Sequence, residues 1–83
     1  MNTKDETGYN GWANYETWNV ALWIGNDEGL YHLARDFRNR SNPYPQFAAT
    51  MREDFEATET PDGVAWNDSG LDIDELNTMI AEL

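Results

Sequence analysis

The sequence predicts an all-α protein: a compact bundle of about four short helices, with an irregular Pro/Gly-containing connection before the last. Three observations carry this. Apolar residues recur at one-face helical spacing in four separate segments. Each segment opens on an Asn, an Asp or a Pro-rich run, residues that cap a first turn or tolerate its missing donor. The 83-residue chain has no cysteine and 11 aromatic side chains, so large rings must supply the core that a disulfide would otherwise support.

Taking the elements in order, residues 1–11 are polar and aperiodic, with a turn dipeptide at Asn10-Gly11, and read as a flexible lead-in to one helical domain over 12–83. Asn14 caps the first helix, and Glu16 suits the positive end of its dipole. Tyr15, Trp18 and Leu22 fall at i, i+3 and i+7, while Val20, Ala21, Trp23 and Ile24 widen the apolar stripe almost all the way round. That makes this the central helix, with Trp18 and Leu22 in the core and Trp12 or Trp23 left partly exposed. Gly25-Asn26 should stop it, Gly taking the left-handed conformation.

Asn26 or Asp27 starts a second helix with Leu30, Leu33, Ala34 and Phe37 on its inner face. Asn39 to Pro45 is a loop leading into a third helix, where Phe47, Met51 and Phe55 line up at i, i+4 and i+8 and the helix fades near Ala57-Thr58. Thr60-Pro61-Asp62-Gly63 is a turn; the short Val64-Ala65-Trp66 segment then drops Trp66 onto the core, and Asn67 to Gly70 turn again. Asp72 caps a last helix striped by Ile73, Leu76, Ile80 and Leu83.

The net charge of −11 is unevenly spread. Residues 31–52 hold Arg35, Arg38, Arg40 and Arg52 against Asp36 alone, whereas residues 53–83 hold ten carboxylates and no basic residue. Nucleic acid and anionic membranes are therefore poor partners for the last third, and a basic protein surface is a good one. The arginines either form a second contact surface or pair with the acids. No apolar run approaches the ~20 residues that span a bilayer. The N-terminus lacks the basic-then-apolar order of a signal peptide, so a cytoplasmic location is expected.

Catalytic constellations are missing. There is no Gly-rich phosphate loop and no Cys nucleophile, and the single imidazole, His32, has Asp36 one helical turn away but no nucleophile to serve. Asp68, Asp72 and Asp74 supply hard oxygens, yet Gly70 stands in the wrong register for a calcium loop and the bidentate Glu is missing, so capping accounts for these acids better. No cofactor and no metal are expected. The carboxylates Glu53, Asp54, Glu56, Glu59, Asp62 and Asp68 are the candidate partner-binding residues, with Trp12 and Trp23 as candidate aromatic anchors. The same acids also serve solubility.

The segment GWANYETWNVALWIGNDEGLY (Gly11 to Tyr31), followed by ETPDGVAW (Glu59 to Trp66), resembles a family of small uncharacterised proteins found mostly in bacteriophages, including cyanophages, and in some bacteria. The family has no agreed catalytic residues to carry over. The resemblance implies a small non-enzymatic accessory protein, located in the host cytoplasm if phage-encoded. On that basis the expected function is binding a host protein with a basic surface, as an inhibitor of host defence or nucleic-acid machinery that mimics phosphates. The alternative is a scaffold module that homodimerises or oligomerises through its aromatic helix.

Overall fold

The computed structural model describes residues 9–83. Its helices are α1 (Tyr15–Asn26), α2 (Glu28–Arg35), α3 (Pro43–Glu53) and α4 (Ile73–Ala81), and the all-α class is the one expected. α1 packs against α2 and α4, and α3 against α4 and α2. Of the expected lead-in, residues 1–8 lie outside the described residues. Tyr9 to Trp12 form a tight turn closed by reciprocal backbone hydrogen bonds of 2.6 and 2.8 Å. Asn10 (φ +49°) and Gly11 (φ +89°) both take the left-handed region, the signature that favours Asn-Gly in such turns.

The caps are local and follow the sequence. Asn14 Oδ1 accepts from Thr17 N at 2.8 Å, and Asp72 Oδ1 accepts from Glu75 N at 3.0 Å. α1, however, does not stop at a left-handed Gly25. It runs through Gly25 and Asn26 and ends on Asp27, which is extended. Asp27 serves both helices: its N–H donates to Trp23 O at 3.0 Å to close α1, and its Oδ1 accepts from Leu30 N at 3.0 Å to open α2. One two-sided cap replaces the expected glycine stop. α3 is capped from another helix, since Asn77 Oδ1 accepts from Tyr44 N while Asn77 Nδ2 donates to Asn42 Oδ1, both at 2.7 Å.

The core gathers Ile24, Val20, Phe37, Tyr44, Phe47, Met51, Trp66, Leu76 and Ile80. Phe47 lies at its centre, with ring contacts to Phe37, Tyr44 and Trp66 at centroid separations of 6.5, 5.9 and 5.6 Å. Tyr44 donates its hydroxyl to the Trp66 carbonyl at 2.5 Å, and burial pushes its pKa well above the ordinary tyrosine range. Trp66 reaches the core as the sequence predicts, although its indole N–H has no hydrogen-bond partner there.

Two expected core assignments fail. The inward face of α1 is Thr17, Val20, Ala21 and Ile24 with Asn19, not Tyr15, Trp18 and Leu22. Trp18 and Leu22 are half-buried, and Trp18 stacks instead with the exposed rings of Tyr9 and Tyr15 at 4.9 and 5.7 Å. The helix turns a polar pair inward because distant partners satisfy it. α3 also ends at Glu53, four or five residues earlier than expected, because the chain reverses through Glu56 (φ +55°) and Ala57 N bonds back to Met51 O at 2.9 Å. Phe55 therefore leaves the Phe47–Met51 stripe and stands 61% exposed.

Candidate partner-binding site: an acidic edge beside an apolar groove

The polar residues of α1 fix the loop that carries the site. Asn19 Oδ1 accepts from Thr60 Oγ1 at 2.7 Å, and Asn19 Nδ2 donates to Asp62 Oδ2 at 2.8 Å. The same Asp62 oxygen accepts from Trp23 Nε1 at 2.9 Å. Thr60 Oγ1 also accepts from Val64 N at 3.2 Å, and Gly63 takes φ +93° to complete the Thr60–Gly63 turn. On the other side of the helix, Thr17 Oγ1 accepts from Asp72 N at 2.9 Å, and Asn14 Nδ2 donates to the Gly70 carbonyl at 2.6 Å. The polar letters of NYETWNVALW thus bind both ends of the 60–72 connection. Buried polar groups must find such partners, because each one left alone costs about 1–3 kcal/mol.

With this loop held, the end of α3 and the residues after it form an acidic edge. Glu53 closes α3, Asp54 is its C-cap, and Glu53, Asp54, Glu56 and Glu59 are all exposed. Among the described residues no Arg or Lys comes within ion-pair distance of a carboxylate. The one pair of that kind is His32 with Glu28 at 3.7 Å, both largely exposed, and not His32 with Asp36.

Asp62 is spent differently. Hydrogen bonds from Asn19 and then Trp23 hold its carboxyl below the usual carboxylate range, and its role is to tie the loop to α1. Asp68 lies elsewhere, its Oδ1 accepting from Gly70 N at 2.7 Å, beside a hollow it shares with Arg52. The sequence-predicted acids are therefore not one surface but a free set of four and two that are engaged locally.

Next to the free set is an apolar groove of about 490 Å3. Trp23, Leu30 and Leu33 wall it from α1 and α2, Met51 and Trp66 floor it, and Phe55 stands at its edge. Asp27 and Glu59 line it as well. Trp23 is thus half-buried between the groove and Asp62. Trp12 lies apart, against Met79 and Leu83 of the α4 end, in a hollow also bordered by Asp74, Glu75 and Glu82. Sequence reasoning missed the groove and the part Phe55 plays in it. The available signal was Phe55 itself, a large ring set between Asp54 and Glu56.

The arginines do not pair with these acids. Arg40 lies over the Phe37 ring, 4.7 Å from its centroid, and donates to Gln46 Oε1 at 3.1 Å. No three His, Asp or Glu side chains among the described residues are grouped to hold a metal ion. Asp68 and Asp72 both spend an oxygen on a backbone N–H instead. No described helix is long and apolar enough to cross a membrane.

A search of curated proteins and a search of solved structures give no match to the chain. A family model described as a family of unknown function, DUF7249, matches residues 5–83, a span that includes both NYETWNVALWI and ETPDGVAW. With nearly its whole length matched, the chain belongs to the family DUF7249.

Proposed function

We propose that this protein is a small, non-enzymatic accessory protein, of the kind phages encode, that acts in the host cytoplasm by binding a host protein with a basic surface. The observation that carries the reading is the set Glu53, Asp54, Glu56 and Glu59, all exposed and, among the described residues, none in an ion pair with an arginine or lysine, although Arg52 precedes Glu53 in the last turn of α3. Glu53 and Asp54 also sit at the C-terminal end of α3, where the helix dipole disfavours anions, so a partner cation is favoured there twice over. Exposed carboxylates on a chain of net charge −11 steer a basic partner from a distance. Inhibition of host defence or nucleic-acid machinery by phosphate mimicry is the narrower form of this proposal. It is weakened by the engagement of Asp62 and Asp68 with their own fold.

The test is capture from host lysate on the wild-type protein and on a variant with all four free carboxylates converted to their amides. Partners retained by the first and lost by the second support the proposal. Identical partner sets overturn it.

A second reading, a scaffold that assembles through α1, draws support from Tyr9 and Tyr15, 41% and 40% exposed, stacked on Trp18 at the outer face of that helix. Sedimentation at high concentration decides it: a dimer that Trp18→Ala dissociates supports assembly, and a monomer throughout rejects it.

A further inference from the structure

We infer that the apolar groove is the docking site for an amphipathic helix of the partner, one that carries lysine or arginine beside a large apolar side chain. This rests on the reading of the acidic edge as a protein-binding surface and adds the occupant that the edge alone does not specify. The groove has an apolar interior built from half-buried Trp23, Leu30 and Leu33 over buried Met51 and Trp66. Its charged members, Asp27 and Glu59, are both acidic, and Phe55 at its edge is flanked by Asp54 and Glu56. An apolar ligand without charge would leave these carboxylates unpaired, and a purely basic one would leave the interior in water. An amphipathic basic helix satisfies both, laying its apolar stripe into the groove and its cations on the rim.

Phe55 is the anchor this predicts. It is a large ring held in water by the chain reversal at Glu56, and an aromatic ring that passes from water into an interface is a side chain on which binding energy concentrates. Asp27 contributes charge while its Oδ1 stays on Leu30 N, so docking does not need α2 to lose its cap. A second copy of this chain is a poorer occupant, because despite its four arginines in residues 31–52 it carries a net charge of −11 toward an acidic rim.

The probe is a synthetic helical peptide of leucine and lysine with leucines at i, i+3, i+4 and i+7, titrated into isotope-labelled protein and followed by amide NMR. A leucine–glutamate peptide of the same pattern is the control. The expected result is binding of the lysine peptide alone, with shifts confined to the segments around Leu30, Leu33 and Phe55. Phe55→Ala should weaken that binding about tenfold, and Glu59→Gln should flatten its salt dependence. Phe55 is already solvent-exposed, so its loss does not threaten folding.

No binding overturns the inference. So do equal binding of both peptides, shifts that map to α4 or to the Tyr9–Tyr15–Trp18 face, or an affinity unchanged by Phe55→Ala. If Phe55→Ala is silent while amidation of the four carboxylates abolishes peptide binding, the groove falls and the acidic edge stands. If both are silent, both fall.

Discussion

Replacing Thr60 by valine keeps the shape of a side chain that is 2% exposed and removes one hydroxyl. That hydroxyl donates to Asn19 Oδ1 at 2.7 Å and accepts from Val64 N at 3.2 Å. Valine therefore leaves two buried polar atoms without partners, since Asn19 is fully buried and Val64 nearly so. At about 1–3 kcal/mol for each orphan, the expected loss is about 3 kcal/mol. In a domain of this size that lowers Tm by roughly 12–24 °C. Urea denaturation followed by tryptophan fluorescence measures it, with exposed Thr58→Val as the control, expected within about 0.5 kcal/mol of wild type. Asn19→Leu combined with Thr60→Val should cost less than the two single changes added, by about 0.5–3 kcal/mol of coupling. A Thr60→Val protein as stable as the control, or a strictly additive double variant, would refute the claim that this contact holds the loop to α1.

Three further outcomes follow from the same structure. Asp62 has a folded pKa held below its unfolded value by Asn19 and Trp23, so its contribution is present above the unfolded pKa of 3.8 and is lost as pH falls through the lower folded value. The stability difference between wild type and Asp62→Asn should accordingly be largest near pH 7 and shrink in acid, as urea midpoints across that range will report. Phe47→Ala should cost about 3–5 kcal/mol because Phe47 is fully buried, whereas exposed Phe55→Ala should stay within about 0.5 kcal/mol, both read by thermal melts. Tyr44→Phe leaves the buried Trp66 carbonyl without its donor and should cost about 1–3 kcal/mol; in the wild type, burial should make Tyr44 resist ionisation at a pH that ionises a free tyrosine, as ultraviolet absorbance will report.

What could be read from the sequence was local. The caps Asn14, Asp27 and Asp72 act within three residues of themselves, so the starts of α1 and α4 were legible from residue type alone and that of α2 to within one residue, Asn26 or Asp27. The orientation of α1 was not. Thr17, Val20, Ala21 and Ile24 have the same helical spacing as the aromatic stripe, but the inward choice depends on Thr60 and Asp72, 41 and 55 residues from their partners. A periodicity argument counts apolar residues, and here buried polar residues with distant partners decided the face. Phe55 fitted the stripe of α3 until the positive φ at Glu56 ended the helix, a backbone event that a glutamate does not announce. The acids were legible as a population and illegible as a site. Asp62 looks like its exposed neighbours until the structure places it against Trp23 and Asn19, and Asp27 and Glu59 line one groove only in the folded chain.

The central claim is that the carboxylates at the end of α3 and after it serve recognition, whereas the polar contacts of α1 serve the fold. The most direct measurement is the salt dependence of partner affinity for wild type and for the Glu53→Gln, Asp54→Asn, Glu56→Gln, Glu59→Gln variant, with a melt of each protein alongside. The account predicts a steep loss of affinity with salt in the wild type, a weak and nearly flat dependence in the variant, and melts that do not show the variant to be less stable. Equal affinities with parallel salt slopes would contradict it.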